Sequence, residues 1–146
     1  MYSNSSKPLK VGIRGLGTVG FGTLQLLKTN AEEITRRTGC EIHVVHVATR
    51  TLDQKKVAWV PASGTDPFAL VNDPDVDVVI ETMGGLEPAF SVIKKALAKG
   101  KHVITANRAL IAEHGNELLA TARANTVNIT FESAVAGCIP TIKARR

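Results

Sequence analysis

A glycine-rich segment near the start, residues 11–20 (VGIRGLGTVG), has the clearest chemical meaning in the sequence. Gly15, Gly17 and Gly20 have the G-x-G-x-x-G spacing of a dinucleotide-binding turn. In such a turn the first glycine permits a tight bend, the second lets the backbone approach a pyrophosphate, and the third lets a helix pack closely on a strand. The helix that follows offers unpaired N–H groups and the positive end of its dipole to the phosphates. We therefore expect this segment to bind a dinucleotide; the alternative is a glycine turn without a ligand.

Arg50 is the second residue whose type suggests chemistry, because it follows the second predicted strand. Folds that select NAD usually place Asp or Glu there, and the carboxylate accepts hydrogen bonds from the ribose hydroxyls. A guanidinium instead suits the 2′-phosphate of NADP. The sequence favours NADP, with NAD as the alternative. Arg50 is otherwise a solvated surface residue, and Asp53 is near enough in sequence to serve the ribose if the strand ends later.

Other chemistries are not indicated. His43 and His46 suggest a metal site, but residues three apart on a strand are expected on opposite faces, so we do not predict chelation. Cys40 and Cys138 are far apart in sequence and are predicted to be free thiols. The sequence contains no serine hydrolase elbow, Walker loop, paired-cysteine zinc motif or HExxH motif. Hydrolysis is therefore not predicted.

The composition limits the class of protein. With 146 residues and 44% hydrophobic content, the chain fits one domain with a real core. Its net charge of +5 is not concentrated in a stripe, and 4% aromatic residues are too few for base stacking, so no nucleic-acid partner is predicted. The chain has a polar start and lacks an apolar run of roughly 20 residues. We expect a cytoplasmic protein with no membrane association.

The elements that must position these residues alternate between strands and helices. This alternation predicts an α/β fold, a Rossmann-type doubly wound parallel sheet in a single domain. Ligands bind such sheets at the carboxyl ends of the strands, so the loops with Gly15, Arg50, Thr82, Ala106 and Glu132 should share one edge. We predict strands over residues 9–13, 41–49, 76–81, 101–105 and 126–132, a helical region from about residue 19 to 39, helices over 86–99 and 113–123, and short or irregular structure over 51–74.

Four segments resemble the N-terminal NAD(P)-binding domain of homoserine dehydrogenase. They occur in the order of that family: residues 11–20, 79–85 (VIETMGG), 102–111 (HVITANRALI) and 131–143 (FESAVAGCIPTIK). The resemblance implies NAD(P)-dependent interconversion of L-homoserine and L-aspartate 4-semialdehyde, in threonine, methionine and isoleucine biosynthesis. The full-length enzyme is expected to be a homo-oligomer acting on this small-molecule substrate.

The resemblance also implies an organisation for the chain. Residues 1–8 are expected to form a flexible tail and residues 9–138 the Rossmann domain. Residues 139–146 are expected to begin a helix that leads into a catalytic and dimerisation domain. The resemblance implies that this domain brings the acid-base lysine, an aspartate and the homoserine-binding carboxylates of the family, and we expect these groups to be absent from the 146 residues. We therefore expect this chain to bind the nucleotide but to turn over homoserine poorly alone.

Individual site residues follow from the same resemblance. A monovalent cation such as Na⁺ is expected on main-chain oxygens at Glu132, Val135, Gly137 and Ile139, since carbonyl oxygens suit a hard cation; the alternative is a strand-to-helix hinge without an ion. The cofactor-binding residues are expected to be Gly15, Leu16, Gly17, Thr18 and Val19 for the diphosphate, Arg50 for the adenosine ribose or its phosphate, Thr82, Met83 and Gly84 toward the nicotinamide ribose, and Thr105, Ala106, Asn107 and Arg108 beside the nicotinamide.

Two residues depart from the family pattern. Arg108 stands where the family has lysine, and it is the one candidate catalytic residue of this chain. A guanidinium stays protonated, so it orients an anion or a carbonyl rather than exchanging a proton. Cys138 occupies the second glycine position of a family loop, where it would be strained if the position needs a positive φ.

Two other functions remain open. A non-catalytic NADP-binding sensor or regulatory module is favoured by Arg108 and by the missing catalytic groups. Another semialdehyde or amino-acid dehydrogenase with a similar first half is the second alternative. Activity on homoserine, compared with other substrates, distinguishes these hypotheses.

Overall fold

A six-stranded parallel sheet forms the centre of the structure, a computed structural model that describes residues 7–131. Most of the strands are short runs rich in apolar residues, as expected for a sheet that is covered on both faces. They are β1 (Leu9–Arg14), β2 (Ile42–Ala48), β3 (Ala62–Gly64), β4 (Val78–Glu81), β5 (His102–Thr105) and β6 (Ile129–Phe131).

The strand order β3-β2-β1-β4-β5-β6 shows where the chain changes direction. β2 and β3 add to the sheet on one side of β1. The chain then crosses back, and β4 pairs with the other side of β1. Every pair in the described sheet is parallel. In such sheets the crevice at the carboxyl ends of the two strands beside this reversal binds ligands. The prediction of a Rossmann-type doubly wound sheet is confirmed.

Helices cover both faces of the sheet and bury two apolar clusters. Leu24 and Leu27 of the first helix pack with β1 and β2 in one cluster, and Ile93 and Leu118 of later helices pack on the opposite face. The helices are α1 (Thr18–Thr29), α2 (Ala31–Thr38), α3 (Pro67–Asn72), α4 (Ala89–Ala98) and α5 (Arg108–Ala124).

Several helix boundaries differ from the sequence expectation. The single helical region expected before Gly39 is divided at Asn30 into α1 and α2. Helix α4 begins at Ala89, directly after Pro88, rather than at residue 86. Helix α5 begins at Arg108, five residues before the expected start, because the Asn107 side chain accepts a hydrogen bond from the Leu110 N–H and caps it.

The segment over residues 51–74 contains short elements, as expected. Strand β3 adds to the edge of β2 by pairing Ala62 with His46. Helix α3 begins where the Asp66 carboxylate accepts a hydrogen bond from the Phe68 N–H at 2.9 Å, with Pro67 in the first turn. Strand β3 is thus the edge strand beside β2, and Leu70 and Val71 of α3 pack in the apolar cluster on one face of the sheet.

A register shift in β2 changes which residues share a face. Val11 pairs with Val44 and Gly12 with His46, which leaves Val45 as an extra residue. Val44 and Val47, three apart, consequently lie in the same apolar cluster. The expectation that residues three apart face opposite sides of this strand is wrong here.

The two histidines of this strand each contact a carboxylate. His43 Nε2 lies 2.8 Å from Glu41 Oε1, and His46 Nδ1 lies 2.8 Å from Asp73 Oδ2. Within residues 7–131, no group of three or more His, Cys, Asp or Glu residues is arranged to hold a metal ion. Over the same range, none of the helices has the length and apolar character needed to cross a membrane.

Candidate functional site

The candidate site lies at the carboxyl ends of β1 and β4, where the glycine turn connects β1 to α1. Gly15 has φ +99°, a conformation that favours glycine, and a Cβ there would lie 2.7 Å from Met83 Cγ and from Thr82 Oγ1. A Cβ on Gly20 would overlap the Gly15 carbonyl oxygen. Both glycines are therefore required by the close packing of the turn against α1 and the following loops.

Gly17 has a different environment. It is exposed, its φ is −72°, and a Cβ built on it meets no atom within 4 Å. Among the described residues, no neighbour therefore requires glycine at this position. The backbone at Gly17 is open to close approach by a ligand, which is what the second glycine of a dinucleotide turn provides for a diphosphate.

Within the part of the chain that the structure describes, the first turn of α1 has backbone donors without a protein partner. Gly17 is its N-cap residue without a side-chain cap, and the first turn contains no acidic residue. The first internal hydrogen bond runs from the Phe21 N–H to the Gly17 carbonyl at 2.8 Å. The N–H groups of Thr18, Val19 and Gly20 precede it and point out of the helix end. Thr18 and Val19 are exposed, and Leu16 packs against the apolar cluster under β1.

The loop after β4 is bonded to the glycine turn. Thr82 Oγ1 lies 3.0 Å from the Arg14 carbonyl oxygen and 3.1 Å from the Gly15 carbonyl oxygen, and donates to this pair. Met83 is half-buried and Gly84 is exposed. The structure thus brings the predicted residues Thr82 and Met83 against the turn that carries Gly15.

A buried ion pair lies under this loop. Arg14 Nη1 donates to Glu81 Oε2 at 2.5 Å, and their side chains are 5% and 0% exposed. The same oxygen accepts from the Met83 N–H at 3.0 Å, and Oε1 accepts from Thr105 Oγ1 at 3.3 Å. Burial raises the pKa of Glu81 above its usual value, while Arg14 and the other donors oppose that shift.

The loop after β5 is held by Asn107. Its N–H donates to Thr105 Oγ1 at 3.0 Å, and its Nδ2 donates to the Gly85 carbonyl at 2.6 Å. Its Oδ1 accepts from the Leu110 N–H, so both polar atoms of the Asn107 side chain are bonded within the protein. Ala106 is half-buried beside it, and Arg108 is exposed with its guanidinium carbon 6.0 Å from the centre of the Phe131 ring. Thr105, Ala106 and Asn107 lie at the same sheet edge as the glycine turn.

Arg50 faces a cavity on the β2 side of this edge. The cavity has a volume of about 440 Å³, and Arg14, Thr49, Arg50 and Met83 contribute to its walls. Arg50 is exposed, and within residues 7–131 its guanidinium has no carboxylate partner. Asp53 is also exposed, and its carboxylate accepts from the Lys55 N–H at 3.0 Å. Glu87 also lines the cavity, and its carboxylate accepts from Ser91 Oγ at 2.8 Å. Of the described cations that line this cavity, Arg14 is paired with Glu81, whereas Arg50 has no carboxylate partner.

Sequence reasoning did not identify Arg14 or Glu81. A signal was present, since each is a charged residue at the end of an apolar strand, in VGIR and VVIE. Parallel pairing of β1 with β4 then places Arg14 opposite Glu81. The predicted cation-binding residues Glu132, Val135, Gly137 and Ile139 lie outside the described residues, as do Cys138 and the segment 139–146.

Comparison with known proteins agrees with this arrangement. A sequence profile described as "Homoserine dehydrogenase, NAD binding domain" matches residues 15–132. The chain belongs to the homoserine dehydrogenase family. The predicted resemblance is therefore confirmed, and the family assignment supports a nicotinamide cofactor for this domain.

Relatives in the homoserine dehydrogenase family match nearly the whole chain. The homoserine dehydrogenase of Pseudomonas aeruginosa is 51% identical over 140 residues, which is 96% of this chain and 32% of that protein. The Bacillus subtilis homoserine dehydrogenase is 39% identical over 139 residues, or 94% and 32% of the two chains. A crystal structure of the Thiobacillus denitrificans homoserine dehydrogenase has 54% identity and a TM-score of 0.82, covering 95% of this chain and 33% of that one. The chain thus spans about a third of the length of these oxidoreductases.

Proposed function

We propose that this chain binds NADP(H) as the nucleotide-binding part of a homoserine dehydrogenase. The observation that carries the proposal is the open space at Gly17 beside the uncapped start of α1, where N–H groups are free to bind an anion. The nicotinamide supplies hydride exchange between L-homoserine and L-aspartate 4-semialdehyde when the cofactor is bound. The family assignment supports this reaction, which serves threonine, methionine and isoleucine biosynthesis.

Different residues along the sheet edge bind different parts of the dinucleotide. The turn over residues 15–19 holds the diphosphate through its backbone N–H groups. Arg50 binds the adenosine 2′-phosphate, because its guanidinium is exposed and lacks a carboxylate partner within the described residues. NAD(H) lacks this phosphate and is the weaker ligand.

The loops after β4 and β5 face the nicotinamide half. Thr82, Met83 and Gly84 lie toward the nicotinamide ribose, and Thr105, Ala106 and Asn107 lie beside the ring. The hydrogen bonds from Thr82 to the glycine turn and from Asn107 to Gly85 support a preformed site. Such preorganisation lowers the entropic cost of binding. Arg108 follows these residues and orients a substrate anion or carbonyl, since its guanidinium does not exchange protons.

Substrate turnover needs more than this domain. Hydride transfer requires a substrate held at reacting distance from the nicotinamide, and the relatives have about two thirds of their length outside the matching region. We propose that the chain alone binds the cofactor and oxidises homoserine slowly or not at all. A normal rate of NADP-dependent homoserine oxidation by residues 1–146 would contradict this proposal.

The remaining expectations concern the rest of the site. We propose a monovalent cation such as Na⁺ on main-chain oxygens of residues 132–139, and a cytoplasmic homo-oligomer for the full-length enzyme. Residues 9–138 would form the nucleotide-binding domain. A cofactor sensor without catalysis is the second candidate function, and the observation that favours it is Arg108, exposed at the position of the family lysine.

A pair of glycine substitutions tests the nucleotide site. Gly17→Leu places a side chain where the diphosphate is proposed, and its Cβ meets no described atom within 4 Å. Gly22 on α1 is also exposed with no atom within 4 Å of a built Cβ, so Gly22→Leu is the matched control. We expect the Kd of NADPH, measured by fluorescence titration, to rise by more than about tenfold in Gly17→Leu and to stay unchanged in Gly22→Leu, because only the first blocks close approach. Equal Kd values in the two variants would refute the proposal.

A further inference from the structure

The loop over residues 82–85 has three separate anchors, and each fixes a different part of it. Thr82 is bonded to the carbonyls of Arg14 and Gly15, and the Gly85 carbonyl accepts from Asn107 Nδ2. Between these ends, the Met83 N–H donates to Glu81 Oε2 at 3.0 Å. The middle of the loop is therefore held by the Glu81 carboxylate.

The cost of this arrangement suggests a role beyond stability. Removing both charges of Arg14 and Glu81 from water is expensive, and replacing a buried ion pair by apolar residues of similar volume is often neutral or stabilising. An apolar pair, however, offers no acceptor to the Met83 N–H or to Thr105 Oγ1. The charged pair supplies hydrogen-bond acceptors at fixed positions. Through one carboxylate, that of Glu81, it joins the ends of β1, β4 and β5.

The position of the loop connects this carboxylate to the two halves of the proposed cofactor. The Met83 side chain lies against Gly15, since it would be in contact with a Cβ built there. It also lines the cavity of Arg50. Its backbone continues into Gly84, which is exposed at the mouth of the site. A shift of Met83 would therefore move the surface that meets the nicotinamide half, while Arg50 lies on a different strand end.

We propose that Glu81, oriented by Arg14, is a positioning residue that fixes residues 82–85 for the nicotinamide half of the dinucleotide. This inference rests on the proposed nucleotide-binding function and assigns a role to two residues inside that site. Glu81 acts through the Met83 N–H and does not itself touch the cofactor. The adenosine 2′-phosphate is bound by Arg50, which follows a different strand, although Arg14 and Met83 also line its cavity.

Two ligands separate these roles. NADPH occupies both halves of the site, whereas 2′,5′-ADP carries the 2′-phosphate but no nicotinamide. The decisive variant is Arg14→Met/Glu81→Leu, which removes both charges together and keeps the buried volume similar. We expect the variant to keep a cooperative thermal unfolding transition and its Kd for NADPH to rise by about tenfold. Its Kd for 2′,5′-ADP should rise by no more than about threefold, a smaller effect that arises because Arg14 and Met83 also line the cavity of Arg50.

A second variant and a second readout keep the proposal testable if the double variant does not fold. Glu81→Asp keeps the charge opposite Arg14 but shortens the side chain by one methylene, so it withdraws the acceptor from Met83. We expect a smaller loss of NADPH affinity, about threefold, with faster hydrogen exchange at the Met83 amide. Glu117→Gln is the matched control, because it breaks the exposed Lys94–Glu117 pair on another surface. It should alter neither ligand.

The outcomes distinguish the inference from the function on which it rests. If the wild type binds both ligands and the double variant binds NADPH as tightly as the wild type, Glu81 has no positioning role. If both ligands weaken equally in every Glu81 variant, the pair is merely structural and the inference is wrong. A wild-type chain that binds neither ligand overturns the proposed function, and this inference with it.

Discussion

Replacing Arg50 by alanine should separate the two nicotinamide cofactors. Arg50 is exposed, lines the cavity at the end of β2 and has no carboxylate partner within the described residues. Its removal therefore breaks no ion pair inside that part of the protein and leaves no buried charge. The expected consequence is confined to the 2′-phosphate, so NADPH should weaken while NADH is unaffected.

The magnitude follows from the exposure of the guanidinium. A charged hydrogen bond contributes about 1.5–3 kcal/mol, and solvent at this open edge favours the lower end of that range. A loss of about 1.4 kcal/mol is a tenfold change in Kd. We therefore expect the Kd of NADPH to rise by about tenfold in Arg50→Ala and that of NADH to stay within about twofold.

Salt dependence provides an independent check on the same contact. An exposed charge pair is screened as ionic strength increases, because the Debye length falls from about 10 Å at 0.1 M to about 3 Å at 1 M. Raising the salt should therefore weaken NADPH binding to the wild type more than binding to Arg50→Ala. Fluorescence titration of NADPH and NADH at low and high salt measures both effects.

Arg123→Ala is the matched control for this substitution. Arg123 is also exposed, but it lies in the last turn of α5, away from the loops of the site. Its removal lowers the net charge by the same amount and should change neither Kd. If Arg50→Ala weakens NADPH and NADH equally, or if Arg123→Ala has the same effect as Arg50→Ala, the assignment of the 2′-phosphate to Arg50 is refuted.

Two further predictions concern the framework around the site. Gly20→Ala should lower the free energy of unfolding by at least about 2 kcal/mol in a urea titration, because the added Cβ overlaps the Gly15 carbonyl, whereas Gly17→Ala should change it little. For Asp73, burial opposes ionisation, but the hydrogen bond from His46 and the Asp75 N–H lower its pKa below 3.8. Since its folded pKa is depressed, the stabilisation is present above the unfolded pKa and is lost as pH falls through the folded one. Asp73→Asn should therefore lower the free energy of unfolding by about 1 kcal/mol near neutral pH and remove this loss of stability in acid. A stability difference between the variant and the wild type that persists unchanged through acid pH would contradict the assignment.

The glycine turn and the strands beside it could be predicted from local pattern. The spacing of Gly15, Gly17 and Gly20 after an apolar run is interpretable because the positive φ of Gly15 and the contact of Gly20 with the Gly15 carbonyl both lie within this one turn. The strands β1, β4 and β5 were found for a similar reason, since a strand covered on both faces is a continuous apolar run. Their alternation with helices was sufficient to predict a parallel sheet.

Other features of the site depend on partners distant in sequence. Arg14 and Glu81 are 67 residues apart and meet only because β1 pairs with β4. The extra residue in β2 appears only in its register with β1, so simple alternation misplaced the faces of that strand. The start of α5 is a different case, because its cap is local: Asn107 Oδ1 accepts from the Leu110 N–H three residues later, and the sequence contained this signal.

These two groups of features differ in how far apart in sequence the interacting residues lie. The amino-acid order specified the turn conformation, the apolar runs and the positions of the breaks, because backbone geometry and hydrophobic periodicity act between near neighbours. The fold then selected which charged and polar groups share a buried space, since the energy of an ion pair or a hydrogen bond depends on distances that exist only after the strands pair. The roles proposed for Arg50 and the glycine turn could therefore be inferred from the chain and stay predictions, whereas the Glu81 network required the assembled sheet.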